Sequence, residues 1–376
     1  MTVWDSLVGQ RHDVEALRGA AGGHGMTHAW LFTGPPGSGR SNAAIAFAAA
    51  LQCEDQGCGS CDDCHEVLSG AHPDVTVRRT ERVSIKVEDA RDWVRDASLM
   101  PVRHRWQVIV VEDADRLHER ANNALLKAIE EPTPRTVWML CAPQPEDVLP
   151  TIRSRTRHVS LATPAPDDVA AFLTERHGVS EERAAHAARA SQGHIGRARA
   201  LALDEDTRNR RREVVSLPPR LTTFGACLQA ASNIVDIAKA EAESQTDAQH
   251  AKELKDIEVL YGSDRRARAQ RSAKAAEREL AEEHKARVRR RIFDTVDGQL
   301  TELLSVYRDV LVLQTGAVSH LVNEEQRPEL VELARRTTPE STLQRIDAIG
   351  AAREQILEFN VPPLLALESM MLALKA

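Results

Sequence analysis

Gly34-Pro35-Pro36-Gly37-Ser38-Gly39-Arg40-Ser41 follows a short apolar run, Trp30-Leu31-Phe32, and precedes Asn42 to Leu51, which reads as a helix. A strand, a glycine-rich turn and a helix in that order form a phosphate-binding loop pattern. The glycines let backbone N–H groups converge on phosphate oxygens, and the helix N-terminus adds positive potential. Ser41 is placed to reach a magnesium ion. One fixed position departs: Arg40 stands where the pattern has lysine. A planar guanidinium does not simply replace a compact ammonium between β- and γ-phosphates. Gly34, Pro35, Pro36, Gly37, Ser38, Gly39, Arg40 and Ser41 are therefore expected to bind ATP with Mg²⁺ without hydrolysing it efficiently. A glycine-rich turn with no ligand is the alternative on these residues alone.

Two further apolar runs lie downstream, Val108-Ile109-Val110-Val111 and Val137-Trp138-Met139-Leu140-Cys141. Between them Ala124, Leu125, Ala128 and Ile129 fall at helical spacing, and Pro132 stops that helix. Continuous apolar strands separated by helices predict an α/β layout, a parallel sheet covered on both faces. The second strand runs straight into Glu112-Asp113-Ala114-Asp115. Hydrolytic ATPases of this layout usually carry Asp then Glu here, to hold magnesium and polarise the attacking water. In this chain Glu112 and Asp113 reverse that order, a second departure bearing on the same chemistry. After the third strand comes Pro150-Thr151-Ile152-Arg153-Ser154-Arg155-Thr156. An arginine at such an edge is either solvated or a finger reaching into a neighbouring subunit's nucleotide, where such groups are worth about 10³–10⁵ in rate.

Four of six cysteines crowd into Cys53-x4-Cys58-x2-Cys61-x2-Cys64, just after the first helix of the sheet region. Tetrahedral thiolates suit zinc, and Gly57 and Gly59 let short loops fold around one ion. Cys53, Cys58, Cys61 and Cys64 are expected to close a structural Zn²⁺ site, with His65 as a less favoured ligand. Free thiols or a redox pair are the alternatives.

Texture changes at Thr163-Pro164-Ala165-Pro166, after which short helices broken at Gly178-Val179-Ser180 and Gln192-Gly193 suggest a small helical lid. From about residue 206 the chain reads as helical to its end. Ile292, Val296, Leu300, Leu303, Leu304, Tyr307, Val310 and Leu311 trace one stripe, and Leu364, Leu367, Met371 and Leu374 mark a final helix after Pro362-Pro363. Residues 236–291 are almost entirely alanine and charge, too poor in apolar surface for a core. They suggest a solvated helical arm or partly disordered insertion.

Aromatic residues make up only 3% of the 376, which favours helix packing over a β-sandwich. The net charge of −7 gives no global signal of a nucleic-acid-coating protein, although a local basic face stays open. No apolar run approaches a membrane span and the N-terminus lacks a signal-peptide pattern, so a cytoplasmic location is expected.

Taken together, Val8-Gly9-Gln10, the loop at 34–41, the four-cysteine insertion, Glu112-Asp113-Ala114-Asp115-Arg116-Leu117, Asn123-Ala124-Leu125-Leu126-Lys127, Glu130-Glu131-Pro132 and Ser154-Arg155 resemble bacterial clamp-loader subunits. More narrowly they are similar to the delta-prime subunits of DNA polymerase III. The resemblance covers the first 205 residues and resumes from Ile292 to Asn360-Val361-Pro362-Pro363-Leu364-Leu365-Ala366-Leu367-Glu368. It implies an AAA+ module at 1–162 with an embedded zinc module, a helical lid at 163–205 and an all-α collar at 206–376 carrying the charged insertion. It also implies a heteropentamer with gamma/tau motor and delta subunits, which opens a sliding clamp and closes it on primed-template DNA. In that family the delta-prime subunit is a stator donating an arginine in trans, and Arg155 occupies that position. The step reads Ser154-Arg155-Thr156 where the family has Ser-Arg-Cys, and Gly196 falls where motor subunits carry a γ-phosphate-sensing arginine. A catalytically active motor of gamma/tau type is the alternative. Related loaders track duplex backbone with helix N-termini, which makes Ser84 and Lys86, in Arg82-Val83-Ser84-Ile85-Lys86-Val87-Glu88-Asp89, candidates for DNA contact. The competing reading there is an ordinary cap and a solvated lysine. Arg103 and Arg105 are weaker candidates.

Overall fold

The computed structural model describes residues 2–80, 84–103, 105–261 and 267–375, with backbone alone at 260–261 and 267–272. Arg82 and Val83 lie outside the described residues. The chain divides into two compact units, residues 1–203 and 204–376.

In the first unit α1 (Arg11–Ala21) leads to β1 (Ala29–Thr33), α2 (Arg40–Gln52), α3 (Asp62–Ser69), β2 (Val75–Arg78) and α4 (Val87–Ala97). Then follow β3 (Gln107–Val111), α5 (Glu119–Glu130), β4 (Thr136–Ala142), α6 (Pro150–Arg153) and β5 (Arg157–Ser160). The five strands pair in the order β2-β3-β4-β1-β5, all parallel, with Leu31 opposite Leu140 and Val110 opposite Met139. This is the AAA+ arrangement that the resemblance implied. Strands β1, β3 and β4 are buried along their whole length, so both faces of the sheet carry apolar side chains. Trp30, Phe32, Val108, Val110, Val137 and Met139 meet α1 to α3 on one face; Leu31, Ile109, Trp138 and Leu140 meet α4 to α6 on the other.

Helix α2 carries the phosphate-loop pattern into the core. Ala43, Ala44, Ala46, Ala48, Ala49 and Ala50 are each at most 1% exposed, so the helix is buried almost all round instead of showing one apolar stripe. Alanine has no bulk to hold the helix off the sheet, and this close seat fixes where its N-terminus points. Helices α7 (Pro166–His177), α8 (Glu181–Ser191) and α9 (Ile195–Leu203), the stretch expected to form a lid, complete this unit around Val169, Leu173, Ala184, Ala188 and Leu201.

The second unit is all helical: α10 (Glu205–Val215), α11 (Phe224–Tyr261), α12 (Ala267–Thr315), α13 (Arg327–Arg336), α14 (Pro339–Leu357) and α15 (Pro363–Leu374). Its core takes the expected stripe through Val296, Leu300, Leu303, Tyr307 and Val310. The expected face of α15 shifts slightly: Ala366, Leu367, Met370, Met371 and Leu374 are buried, while Leu364 is 38% exposed. The described residues of the charged insertion belong to α11 and α12, which pair along their length. They meet through alanines and polar partners, including Arg287 Nη1 at 3.1 Å from Glu253 and stacked His250 and His284 rings 4.0 Å apart. Such pairs substitute for the aliphatic contacts that this segment lacks.

Candidate functional site

The glycine-rich loop connects the end of β1 to the first turn of α2. Gly37 (φ +83°) and Gly39 (φ +95°, the N-cap of α2) hold left-handed backbone that other residues adopt only at a cost. Ser38 is 2% exposed and its hydroxyl finds no hydrogen-bond partner. A buried donor of that kind, in a glycine-rich loop at the N-terminus of α2, is what an anion would satisfy. The arrangement around it is nevertheless closed. Arg40 turns back across the loop and donates from Nη1 to the Gly34 carbonyl at 2.8 Å. From the lid, the Ile195 N–H donates to the Gly37 carbonyl at 3.2 Å. The His194 ring lies flat on Gly37: a Cβ added there would come within 2.1 Å of His194 Cγ. Burial, then Arg197 and Arg40, push the His194 imidazole below its ordinary titration range.

The acids after β3 are engaged. Glu112 accepts from Arg79 Nε at 2.5 Å, and Asp113 accepts from the Thr80 N–H at 3.4 Å with Arg116 Nε 3.8 Å away. Asp115 is raised, chiefly by burial, with Asp113 adding to the effect. Arg79 and Arg116 thus lie beside Glu112 and Asp113 and offset their charge. With Arg40 folded inward and His194 against Gly37, the cassette as arranged does not fit an ATP–Mg²⁺ complex.

Arg155 follows α6 and is exposed. Its guanidinium reaches the Thr151 carbonyl (2.8 Å), Ser154 Oγ (3.2 Å) and Glu130 (2.7 Å).

The four cysteines come together as the spacing implied. Cys53 ends α2, Cys58 lies in the loop, Cys61 caps α3 and Cys64 sits in its first turn. All four Sγ atoms lie within 4.8 Å of one another, and Cys53 and Cys61 Sγ are 3.7 Å apart. A tetrahedron of thiolates at about 2.3 Å from zinc has sulfur–sulfur edges of roughly 3.8 Å, so the donor set fits one such ion. Backbone N–H groups point at the sulfurs: Cys58 to Cys53, Gly59 to Cys64, Cys61 to Cys58 and Cys64 to Cys61, each at 3.4 Å. Hydrogen bonds from Ser60 and Cys61 bring the Cys58 thiol down to about 6, whereas burial pushes Cys61 and Cys64 up. His65 is exposed on α3 and is not among the clustered ligands.

Sequence reasoning missed what holds this module in place. Arg103 bridges Asp63 (2.5 Å) and Glu66 (2.7 Å) on α3, and buried Asp74 accepts the N–H groups of Val102 and Arg103. On the other side Trp4 Nε1 donates to the Gln56 carbonyl at 3.0 Å. Arg105 donates to the Gln52 carbonyl at 2.6 Å. Arg103 and Arg105 are thereby engaged within the fold.

Ser84 and Lys86 lie just before α4. Buried Ile85 between them donates to the Arg116 carbonyl, and Lys86 is the N-cap, its N–H bonded to Asp89 at 3.2 Å. Lys86 is exposed, and a cleft of about 740 Å³ beside it, between α4 and α5, is lined by Arg91, Arg120 and Glu88.

Comparison with known proteins gives two family matches: "DNA polymerase III, delta subunit" over residues 9–165 and "DNA polymerase III, delta subunit, C terminal" over residues 292–376. The whole of the charged insertion at 236–291 falls between them. DNA polymerase III subunit gamma/tau of Mycobacterium tuberculosis is 35% identical over 182 residues, 46% of this chain and 31% of that protein. DNA polymerase III subunit delta' of Pseudomonas aeruginosa is 36% identical over 165 residues, 42% of this chain and 50% of that protein. The chain thus spans half or less of the length of these relatives. A gamma subunit-related protein of Thermotoga maritima superposes with a TM-score of 0.36 at 15% identity, covering 91% of this chain and 99% of the other. Among the described residues no helix is long and apolar enough to cross a membrane.

Proposed function

We propose that this chain, which belongs to the clamp-loader family of DNA polymerase III subunits, acts in its complex as the delta-prime stator. In this reading it does not turn over ATP itself. It lends Arg155 to the nucleotide of an adjacent motor subunit while a sliding clamp is loaded onto primed-template DNA. The observation that carries this reading is the Arg40–Gly34 hydrogen bond at 2.8 Å, which engages the loop's own cation with the loop backbone. The reversed acids add to it, since Glu112 is held by Arg79. An engine without a usable cation and metal ligand keeps little of the electrostatic stabilisation on which phosphoryl transfer depends.

The four-thiol cluster takes a structural zinc ion in this reading, because its ligand set is complete without water. Ser84 and Lys86, with neighbouring Arg91 and Arg120, are the candidate contacts to DNA backbone. Such contacts are indifferent to base sequence and weaken with salt. The remaining partners, the gamma/tau and delta subunits, follow from the family reading, as does a location in the cytoplasm.

The gamma/tau alignment favours a second reading, a hydrolysing motor subunit. Steady-state ATP hydrolysis by the isolated chain separates the two. The stator reading expects no turnover above background alone, and normal DNA-stimulated turnover once the chain joins motor and delta subunits. Brisk hydrolysis by the lone chain, abolished by Glu112→Ala, would establish the motor instead.

A further inference from the structure

We infer that His194 and Ile195 form an intramolecular latch that holds the phosphate loop shut, so that the lid's own loop excludes a nucleotide's polyphosphate tail until the lid lifts. The inference rests on the reading of a non-hydrolysing cassette and names the residues that keep it empty.

Three contacts carry it, all within the first compact unit. The first is steric. Three atoms of the His194 ring, Cγ, Cδ2 and Nδ1, lie 2.1–2.5 Å from the position a Gly37 Cβ would take, so the imidazole covers that glycine face-on. Gly37 belongs to the stretch whose amides would cradle phosphate oxygens. The second is a backbone hydrogen bond, Ile195 N–H to the Gly37 carbonyl at 3.2 Å, which ties the start of α9 to the loop. The third aims the ring: the Arg197 N–H donates to His194 Nδ1 at 3.2 Å. Close approach of the latch depends on Gly193, where a Cβ would meet Thr163 Cγ2 at 2.2 Å, so that turn admits no larger residue. Beneath the latch lies Ser38, almost wholly buried, its hydroxyl unpartnered. The loop therefore keeps a donor that points to an anion while its mouth is covered from the lid side. Arg40 is separately bonded to the Gly34 carbonyl of the same loop.

The ligand class excluded is a nucleoside di- or triphosphate. The test uses the full purified chain, with a fluorescent ADP and unlabelled ATP–Mg²⁺ as probes, read by anisotropy and calorimetry. His194→Ala and His194→Ser should each bind the probe at least tenfold tighter than the wild-type chain, and His194→Gln, which keeps bulk, should not. Thermal melts ensure that each variant is folded; should His194→Ala melt early, His194→Ser carries the comparison. Equal affinity in wild type and both small variants overturns the latch, as does wild-type binding already as tight as theirs. This outcome is distinct from failure of the stator reading. The latch fails alone if the small variants gain no affinity while the isolated chain still hydrolyses nothing. The stator fails alone if the variants gain affinity while Arg155 proves dispensable to the complex.

Discussion

Glu130 at the end of α5 holds Arg155 by an ion pair of 2.7 Å, although both side chains are about 40% exposed to solvent. A pair this exposed is worth about 1 kcal/mol or less, because water screens it and two long side chains must be ordered. Within its own chain Arg155 is thus placed but only weakly held, and under the stator reading a neighbouring subunit's phosphates would displace Glu130 from it. Arg155→Ala should leave assembly intact and lower DNA-stimulated ATPase of the reconstituted complex by about 10³-fold or more. Arg155→Lys should restore little, since an ammonium lacks the planar fork. Glu130→Gln should change turnover by less than about fivefold, the equivalent of losing an exposed pair. Unchanged turnover in Arg155→Ala would remove the trans role.

The four-thiol module touches the rest of the first unit through identifiable bonds, which makes metal loss readable. Trp4 donates to Gln56 and the Val3 N–H donates to Gly57 at 3.1 Å, both on the loop between Cys53 and Cys58. Metal analysis should find about one zinc per chain. Stripping it with a chelator, or replacing buried Cys64 by Ser, should lower the melting temperature and red-shift emission from Trp4 as its loop loosens. A Trp4→Phe control should lose the spectral change and keep the fall in melting temperature. A metal-free chain with the same melting temperature would show that no structural ion is needed.

How much of this was legible in the sequence follows from the range of the interactions. The phosphate loop, the β-branched strand at 108–111 and the four thiols are local patterns, and each forms as its spacing implied. Sheet order, by contrast, comes from contacts between segments far apart in the chain, and no local pattern states it. Two features gave no local signal. Arg40 was read as a poor substitute for lysine, yet its hydrogen bond to Gly34 depends on the turn's shape. His194 belongs to no motif of its own, and nothing in Gly193-His194-Ile195 says that it meets Gly37, more than 150 residues earlier. A bulky ring flanked by glycine in a lid turn is the one hint that was there. The insertion at 236–291 could not be settled as arm or disorder because its helices pair through Arg287–Glu253 and a histidine stack, which carry no apolar periodicity.

The latch should respond to pH. Burial first, then Arg197 and Arg40, hold the folded His194 below its ordinary value near 6.5. The closed state therefore binds fewer protons than the open one, so closure is fully supported above about 6.5 and weakens as pH falls through the lowered value. Hydrogen exchange at the Ile195 amide, corrected for its intrinsic rate, should show higher protection at pH 7.5 than at pH 5.5. In His194→Gln that difference should vanish. Equal protection at both pH values in the wild-type chain would mean that protonation of His194 does not load the latch.

The second unit carries its own buried polar centre, and its loss should be costly. Arg211 on α10 is 6% exposed; its Nε donates to Glu302 at 3.0 Å, Nη1 to Glu325 at 3.0 Å and Nη2 to Asn323 Oδ1. Asp309, fully buried, accepts the N–H groups of Val322 (3.0 Å) and Asn323 (2.8 Å) and the Asn323 side-chain amide (2.9 Å). The network joins α10, α12 and the turn before α13. Removing Arg211 takes its guanidinium from Glu302, itself only 5% exposed, and breaks a buried ion pair. Breaking one side of a buried pair costs about 3–5 kcal/mol, whereas replacing both partners by apolar groups is often neutral. Arg211→Ala should therefore destabilise the chain by about that amount in urea, and Arg211→Met with Glu302→Leu should recover most of the loss. Under the collar reading, the single variant should also release the chain from its complex at a temperature where the double variant stays bound. A double variant no more stable than Arg211→Ala would mean that the cost lies in the lost bonds to Asn323 and Glu325 and not in the pair with Glu302.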